Sequence, residues 1–289
     1  MLEKEIEKLN KAYSEYNLEK REDISTKILN YIRDRLIKNK EDIEKISEIF
    51  HDISYDRLME VFLEEISKPE IYKKQKSLKE LENGFVYGIY TTSVGNVVVE
   101  TSTTVQVLRY FIYAIQSRNT ITISDLEFVE NDLKHVLLLI FSEAIEKFGI
   151  NRNLINILPY EECYYDKFDL VINLEKEEVI RKKEISKLYI YNTSNKFDEE
   201  IKEEIKYLEN CNKEYEILSG NFEEVVSKIN ENIPIGTVIY TDDAQDGYKF
   251  INLIHSKNVF VNTSFIEVDE NIKEIDNPLY MNKKIMYPR

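Results

Sequence analysis

From Gly84 onward the sequence alternates short β-branched or aromatic runs with stretches of helical periodicity, and this alternation constrains the fold more than any other feature. FVYGIYTT and VVVE lead into a helix over about residues 103–116, then TITIS, a helix over about 129–148, LINIL and DLVIN. The pattern resumes with LYIYN, a helix over about 199–208, YEIL, a helix over about 222–229, TVIYT, a helix over about 244–254, and VFVNTS. Strand, helix, strand repeated at this spacing implies parallel strands joined by right-handed crossovers, an α/β chain built on a doubly wound sheet. Only 7 glycines and 5 prolines interrupt the 289 residues, so the loops are expected to be short.

Residues before this region read differently. Leu2, Ile6, Leu9 and Tyr13, then Ile24, Ile28, Ile32 and Leu36, recur at helical spacing, which predicts an all-helical arm. Asp23 and Ser25 are candidate N-caps of the second helix, and Ser54 of one starting at Tyr55. After Pro69 a lysine-rich link runs to Lys79, and the change of texture predicts a boundary near residue 80.

With 54 acidic against 39 basic residues the net charge is −15, which repels nucleic acid and anionic lipid. The strongest basic cluster, Arg181-Lys182-Lys183, is flanked by Glu177, Glu178 and Glu184 and reads as a solvated helix face. Two cysteines without Cys-x-x-Cys spacing, and an opening MLEKEIEKLNK without an apolar signal core, predict a cytoplasmic protein. No apolar run approaches the roughly 20 residues needed to span a bilayer.

Sheets of this class usually bind ligands at the carboxyl ends of their strands. Neither G-x-G-x-x-G nor G-x-x-x-x-G-K-[ST] occurs. His51, His135 and His255 stand alone without i, i+4 partners, so no metal is expected. Asp242-Asp243 reads as helix capping rather than a catalytic pair. Cys163, among acidic neighbours, reads as structural or incidental. Turns at Ser93 to Asn96 and Ser117 to Asn119 are candidate ligand contacts, although Gly and Asn also serve turn conformation there. Cys211, in CNKEYEIL, reads either as a nucleophile or as a leftover thiol at a helix end. Lys213 would lower its pKa, while Glu209, Glu214 and Glu216 would raise it.

Several stretches together resemble the aldehyde dehydrogenase superfamily, in particular glutamyl phosphate reductase. They are the helical segment with Asp56-Arg57-Leu58, GFVYGIYTTS, AIQSRNTITIS, FSEAIEKFGINRNLINILP, CNKEYEIL, NFEEVVSKINE, TVIYTDDAQDGYKFINLIHSKNVFVNTS and PLYMNKKIMYP. The resemblance implies a helical arm (1–80), a Rossmann-like nucleotide-binding domain (81–195), a shortened catalytic lobe (196–265) and a tail for oligomerisation (266–289). It places Cys211 at the nucleophile's position and Ser102 nearest the oxyanion-holding Asn. Ser117, Arg118, Asn119 and Ser124 then fall at the cofactor, NADP or NAD. Cys211 thiolate would attack an acyl phosphate or thioester, and hydride from the cofactor would release the aldehyde.

The departures from the pattern carry equal weight. Only Ser219-Gly220 stand where the family keeps most of its catalytic domain, between YEIL and NFEEVV. Ser124 is followed by Asp125, which repels a 2′-phosphate. DLVINLEKEEVIRKKEISKLYIYN replaces a glycine-rich phosphate loop with a short charged helix. Two readings result. In the first, a catalytically impaired relative acts as a binding or assembly protein, as a homodimer or with a full-length relative. In the second, Cys211 serves a minimal NAD(P)-dependent reductase.

Overall fold

The computed structural model describes residues 2–68, 75–80, 84–160, 165–265 and 278–288. Cys163 and the segment 266–277 of the expected tail lie outside them. The chain forms two compact units, Met1–Tyr72 with Ser93–Arg181, and Lys73–Thr92 with Lys182–Arg289. It begins in the first unit with helices α1 (Leu2–Asn17), α2 (Ile24–Lys38), α3 (Lys40–Phe50) and α4 (Tyr55–Ile66). It then enters the second for a hairpin of β1 (Gln75–Glu80) and β2 (Phe85–Ser93). The first unit resumes with β3 (Asn96–Thr101), α5 (Thr104–Ser117), β4 (Thr120–Asp125), α6 (Leu133–Lys147), β5 (Ile155–Pro159), β6 (Leu170–Asn173) and β7 (Glu178–Arg181). The second is completed by β8 (Glu184–Asn192), α7 (Asp198–Asn210), β9 (Tyr215–Leu218), α8 (Phe222–Ile229), β10 (Ile233–Tyr240), α9 (Ala244–Leu253), β11 (Asn258–Val261) and β12 (Tyr280–Pro288).

In the first unit the sheet order is β5-β4-β3-β6-β7. The first four strands run parallel and β7 runs antiparallel to β6. NVVVET and TITISD are buried throughout because both faces are covered. The steps β3 to β4 and β4 to β5 go the same way, so right-handed crossovers set α5 and α6 on one face. On the other face Leu9 of α1 packs with Val98, Val171 and Phe168. The amino-terminal helix thus supplies a layer that a crossover helix would otherwise provide. This corrects the expected arm ending at residue 80: helices α1 to α4 belong to the same compact unit as the sheet. Ser54 caps α4 as expected, accepting from the Arg57 N–H, whereas Asp23 makes no capping bond to α2 and pairs with Lys27 at 2.7 Å instead.

The second unit carries the order β1-β2-β12-β11-β10-β8-β9, with β9, β8, β10, β11 and β12 paired in parallel. Alternation along β8 sends Leu188 and Ile190 to a core with Ile201 and Leu208 of α7. Tyr189 and Tyr191 go to a core with Val225 and Ile229 of α8 and Phe250 of α9. Helices therefore cover both faces, and this sheet is doubly wound. Its members come from β1 and β2 as well as from residues after Lys182, so the expected divisions at 195/196 and 265/266 do not mark compact units. Strand β12 is hydrogen-bonded into the sheet beside β11.

One element differs in kind. The segment after DLVIN is not a charged helix: Leu174–Glu177 form a turn and Glu178–Arg181 return antiparallel against β6. Arg181 ends that strand, and Lys182-Lys183 lead directly into β8.

Candidate functional site

In the five-stranded sheet the strand order reverses between β3 and β6, so the carboxyl ends of these strands are where a ligand would be sought. Polar side chains gather there, and they satisfy one another. Glu100 near the end of β3 accepts a hydrogen bond from Asn173 at the end of β6. Asp125 ends β4 and is 1% exposed, and Lys134 in the first turn of α6 is 4% exposed. Lys134 Nζ lies 2.6 Å from Asp125 Oδ2 and 3.3 Å from Asp132 Oδ2. The ammonium also donates to the Glu127 carbonyl at 3.2 Å and to that of Ser102 at 3.5 Å. Asp132 caps α6 through the His135 N–H and sits 3.0 Å from His135 Nδ1. Ser124 Oγ shares a 3.0 Å hydrogen bond with Tyr165 Oη. Beside the first turn of α5, Asp52 accepts from the Thr104 hydroxyl.

A dinucleotide does not fit these residues. Pyrophosphate sites of this fold class need free backbone N–H groups, usually at a helix N-terminus reached through a glycine-rich turn. Among the described residues no helix follows β6, because the chain turns straight back into β7. The N-terminus of α6 is capped by the Asp132 side chain, and the Asp52 carboxylate lies by that of α5. The buried Lys134 ammonium at this end is held by two aspartates rather than offered to a phosphate. No group of three His, Cys, Asp or Glu side chains is placed to hold a metal ion among the described residues. Nor is any described helix long and apolar enough to cross a membrane.

Ser102 and Ser124 stand at this carboxyl end, but Ser117, Arg118 and Asn119 do not. They form the turn from α5 into β4, at the opposite end of a six-residue strand, roughly 20 Å away. All three are buried and committed to the chain itself. Asn119 Oδ1 accepts the N–H groups of Val94 and Gly95, both at 2.9 Å, where Gly95 adopts φ 125. Its Nδ2 donates to Ser117 Oγ at 2.8 Å. Arg118 Nη1 donates to the carbonyls of Tyr16 and Glu19, and the Arg118 carbonyl accepts from Asn17 Nδ2. Ser93 joins the same network, donating to Asn17 Oδ1 at 2.9 Å and bonding Tyr13 Oη at 3.1 Å. The two turns read as ligand contacts therefore fasten α1 to the sheet.

Cys211 belongs to the second unit. It caps the carboxyl end of α7 and donates its N–H to the Tyr207 carbonyl at 3.0 Å. Asn212 follows at φ 54 and the chain enters β9 at Tyr215, so the thiol stands at the amino end of that strand. It is solvent-exposed. The Tyr207 phenol is pushed up, first by its hydrogen bond to Cys211. The acidic neighbours noted in the sequence are otherwise engaged: Glu216 pairs with Lys187 at 2.7 Å and with Lys228, and Glu209 accepts from Tyr215 Oη at 3.1 Å. The Lys187 and Lys228 bonds hold the Glu216 carboxyl below its ordinary range.

Lys134, Asp132, Glu100 and Asn173 were not singled out from the sequence. For Lys134 a signal exists: it shares the stripe of Leu137, Phe141 and Ala144, so helical spacing places a lysine on a buried face. Asp243 caps α9 as read, accepting from the Gln245 N–H at 2.7 Å. Asp242 instead bonds Ser194 and pairs with Lys196 at 2.9 Å, which lowers its pKa.

No protein-family model matches the sequence, and no curated protein matches it. Solved structures do resemble it. A γ-glutamyl phosphate reductase from Saccharomyces cerevisiae aligns over 99% of this chain and 97% of its own, with TM-score 0.54 and 14% identity. That from Thermotoga maritima aligns over 100% and 98%, with TM-score 0.53 and 12% identity. An engineered glycolyl-CoA reductase with bound NADP+ aligns over 98% and 96%, with TM-score 0.50 and 10% identity. At these identities the likeness is one of fold, and the fold of this chain is similar to that of the γ-glutamyl phosphate reductases.

Proposed function

We propose that this chain is a degenerate aldehyde-dehydrogenase-type protein that has exchanged cofactor chemistry for a binding or assembly role. The observation that carries this reading is the β6 to β7 hairpin, which puts no helix N-terminus after β6 among the described residues, while that of α5 at the same reversal has the Asp52 carboxylate bonded to Thr104. The Asp125–Lys134–Asp132 cluster supports it, since releasing Lys134 to a phosphate would strand two buried carboxylates. Partners expected from the resemblance are a second copy or a full-length relative, in the cytoplasm.

A second reading is favoured by Cys211. The thiol is exposed just before β9, where the resemblance sets the nucleophile of an NAD(P)-dependent acyl phosphate or thioester reductase, with Ser102 toward the oxyanion. Thermal unfolding with NADPH, NADP, NADH and NAD, each at roughly millimolar concentration, separates the two, because a ligand that binds only the folded state raises the midpoint. The first reading expects no rise with any of them. A clear rise overturns it and directs the work to a Cys211→Ala variant.

A further inference from the structure

We propose that β7 is a self-association edge, through which two copies of this chain pair antiparallel and join their five-stranded sheets into one. The inference is independent of whether a dinucleotide binds. Strand β7 closes its sheet on one side, so its outer row of backbone N–H and C=O groups faces no strand of that sheet. Val179 and Ile180 point to opposite faces and are 50% and 58% exposed, so helices cover neither face of the strand. Two other edges are blunted. The outer strand β9 carries Glu216 held between Lys187 and Lys228, and the outer strand β5 ends in Pro159.

The sequence around β7 selects the occupant. Glu175, Glu177 and Glu178 precede the apolar pair, and Arg181, Lys182 and Lys183 follow it. Such a segment is complementary to itself when reversed. A two-fold axis at Ile180 sets Ile180 against its own copy, Glu178 opposite Lys182 and Glu177 opposite Lys183 of the second copy. The Arg181 stem then lies along Val179. Parallel pairing would oppose glutamate to glutamate and arginine to arginine. Lys182 Nζ also donates to the Asn230 carbonyl at 2.7 Å. The contact is isologous, and one pairing uses the edge of both copies, so assembly through it stops at two.

A four-residue edge makes a small interface, of the weak class with Kd roughly micromolar to millimolar. Sedimentation equilibrium of the full chain up to about 1 mM is expected to show the average mass rising toward twice the monomer, with the rise reduced by salt. Glu177→Lys with Glu178→Lys, and Lys182→Glu with Lys183→Glu, each set like charges opposite one another in the pairing of two identical copies. Each variant alone is expected to be monomeric, and mixing the two to restore a dimer. Ile180→Lys, an exposed position, loses the dimer as well and serves if a double variant fails to fold. Wild-type protein that stays monomeric, a dimer that survives Ile180→Lys, or folded charge variants that do not recover on mixing would each overturn the proposal.

Discussion

Glu204 shows how a single residue can oppose the fold that contains it. The carboxyl is 3% exposed on α7, Oε1 accepts the Phe265 N–H at 3.0 Å, and burial raises its pKa above the ordinary 4.5. A carboxyl whose folded pKa is raised favours folding most when protonated, so its stabilisation is present below about 4.5 and is lost as pH rises through the folded value. At neutral pH the ionised group is a cost. Glu204→Gln keeps a carbonyl for Phe265 and removes the charge, so the variant should melt higher than wild type at pH 7, with the difference narrowing toward pH 4; an equal difference at both pH values would refute the assignment. Individual side chains were also where the sequence was least legible. Ser117, Arg118 and Asn119 invite a functional reading because polar residues in a turn are usually solvated. Their actual partners, Asn17, Tyr16 and Val94, lie far away in the sequence and on no shared periodicity. Ser102 directly follows β3 and Ser124 lies one residue before the end of β4, both strands whose β-branched runs are plain in the sequence.

At the scale of elements, the strands and helices with a strong period were legible and β7 was not. EKEEVIRKKE has the charge density of a solvated helix, and four residues are too few for alternation to register. What makes it a strand is pairing with β6 in register from Leu170 opposite Arg181 to Asn173 opposite Glu178. The turn that allows this pairing carries no glycine, which hides it from turn signals. Glu177 holds φ 55 there, a conformation that costs a side-chain-bearing residue roughly 1–2 kcal/mol and glycine very little. Part of that difference is offset by the greater freedom of glycine in the unfolded chain. Glu177→Gly should therefore stabilise the protein by about 0.5–1 kcal/mol, read as a higher urea midpoint at unchanged slope. A lower midpoint would mean that the glutamate side chain contributes more at the turn than its backbone costs.

For the whole molecule, the alternation of strand and helix predicted a doubly wound α/β chain, yet it could not say that the first helices and the first hairpin would be dealt to different units. The chain passes between the units after Tyr72, Thr92 and Arg181, so each unit is assembled from segments distant in sequence. Each nevertheless owns a core. In the second unit Phe260 is fully buried, packs edge-to-face on Phe265 at 5.5 Å and lies among Leu188, Ile190 and Val238. Phe260→Ala should cost about 3–5 kcal/mol through lost transfer energy and the cavity left behind. Separate cores make separate opening reactions the expectation, since multi-domain chains depart from two-state behaviour. In native-state hydrogen exchange the amides of β8, β10 and β11 should then lose protection by about a hundredfold or more, while those of β3 and β4 keep theirs. If protection fell equally in both sheets, the three passages would bind the units into one cooperative structure, and β7, the last element before the final passage, would report on both cores at once.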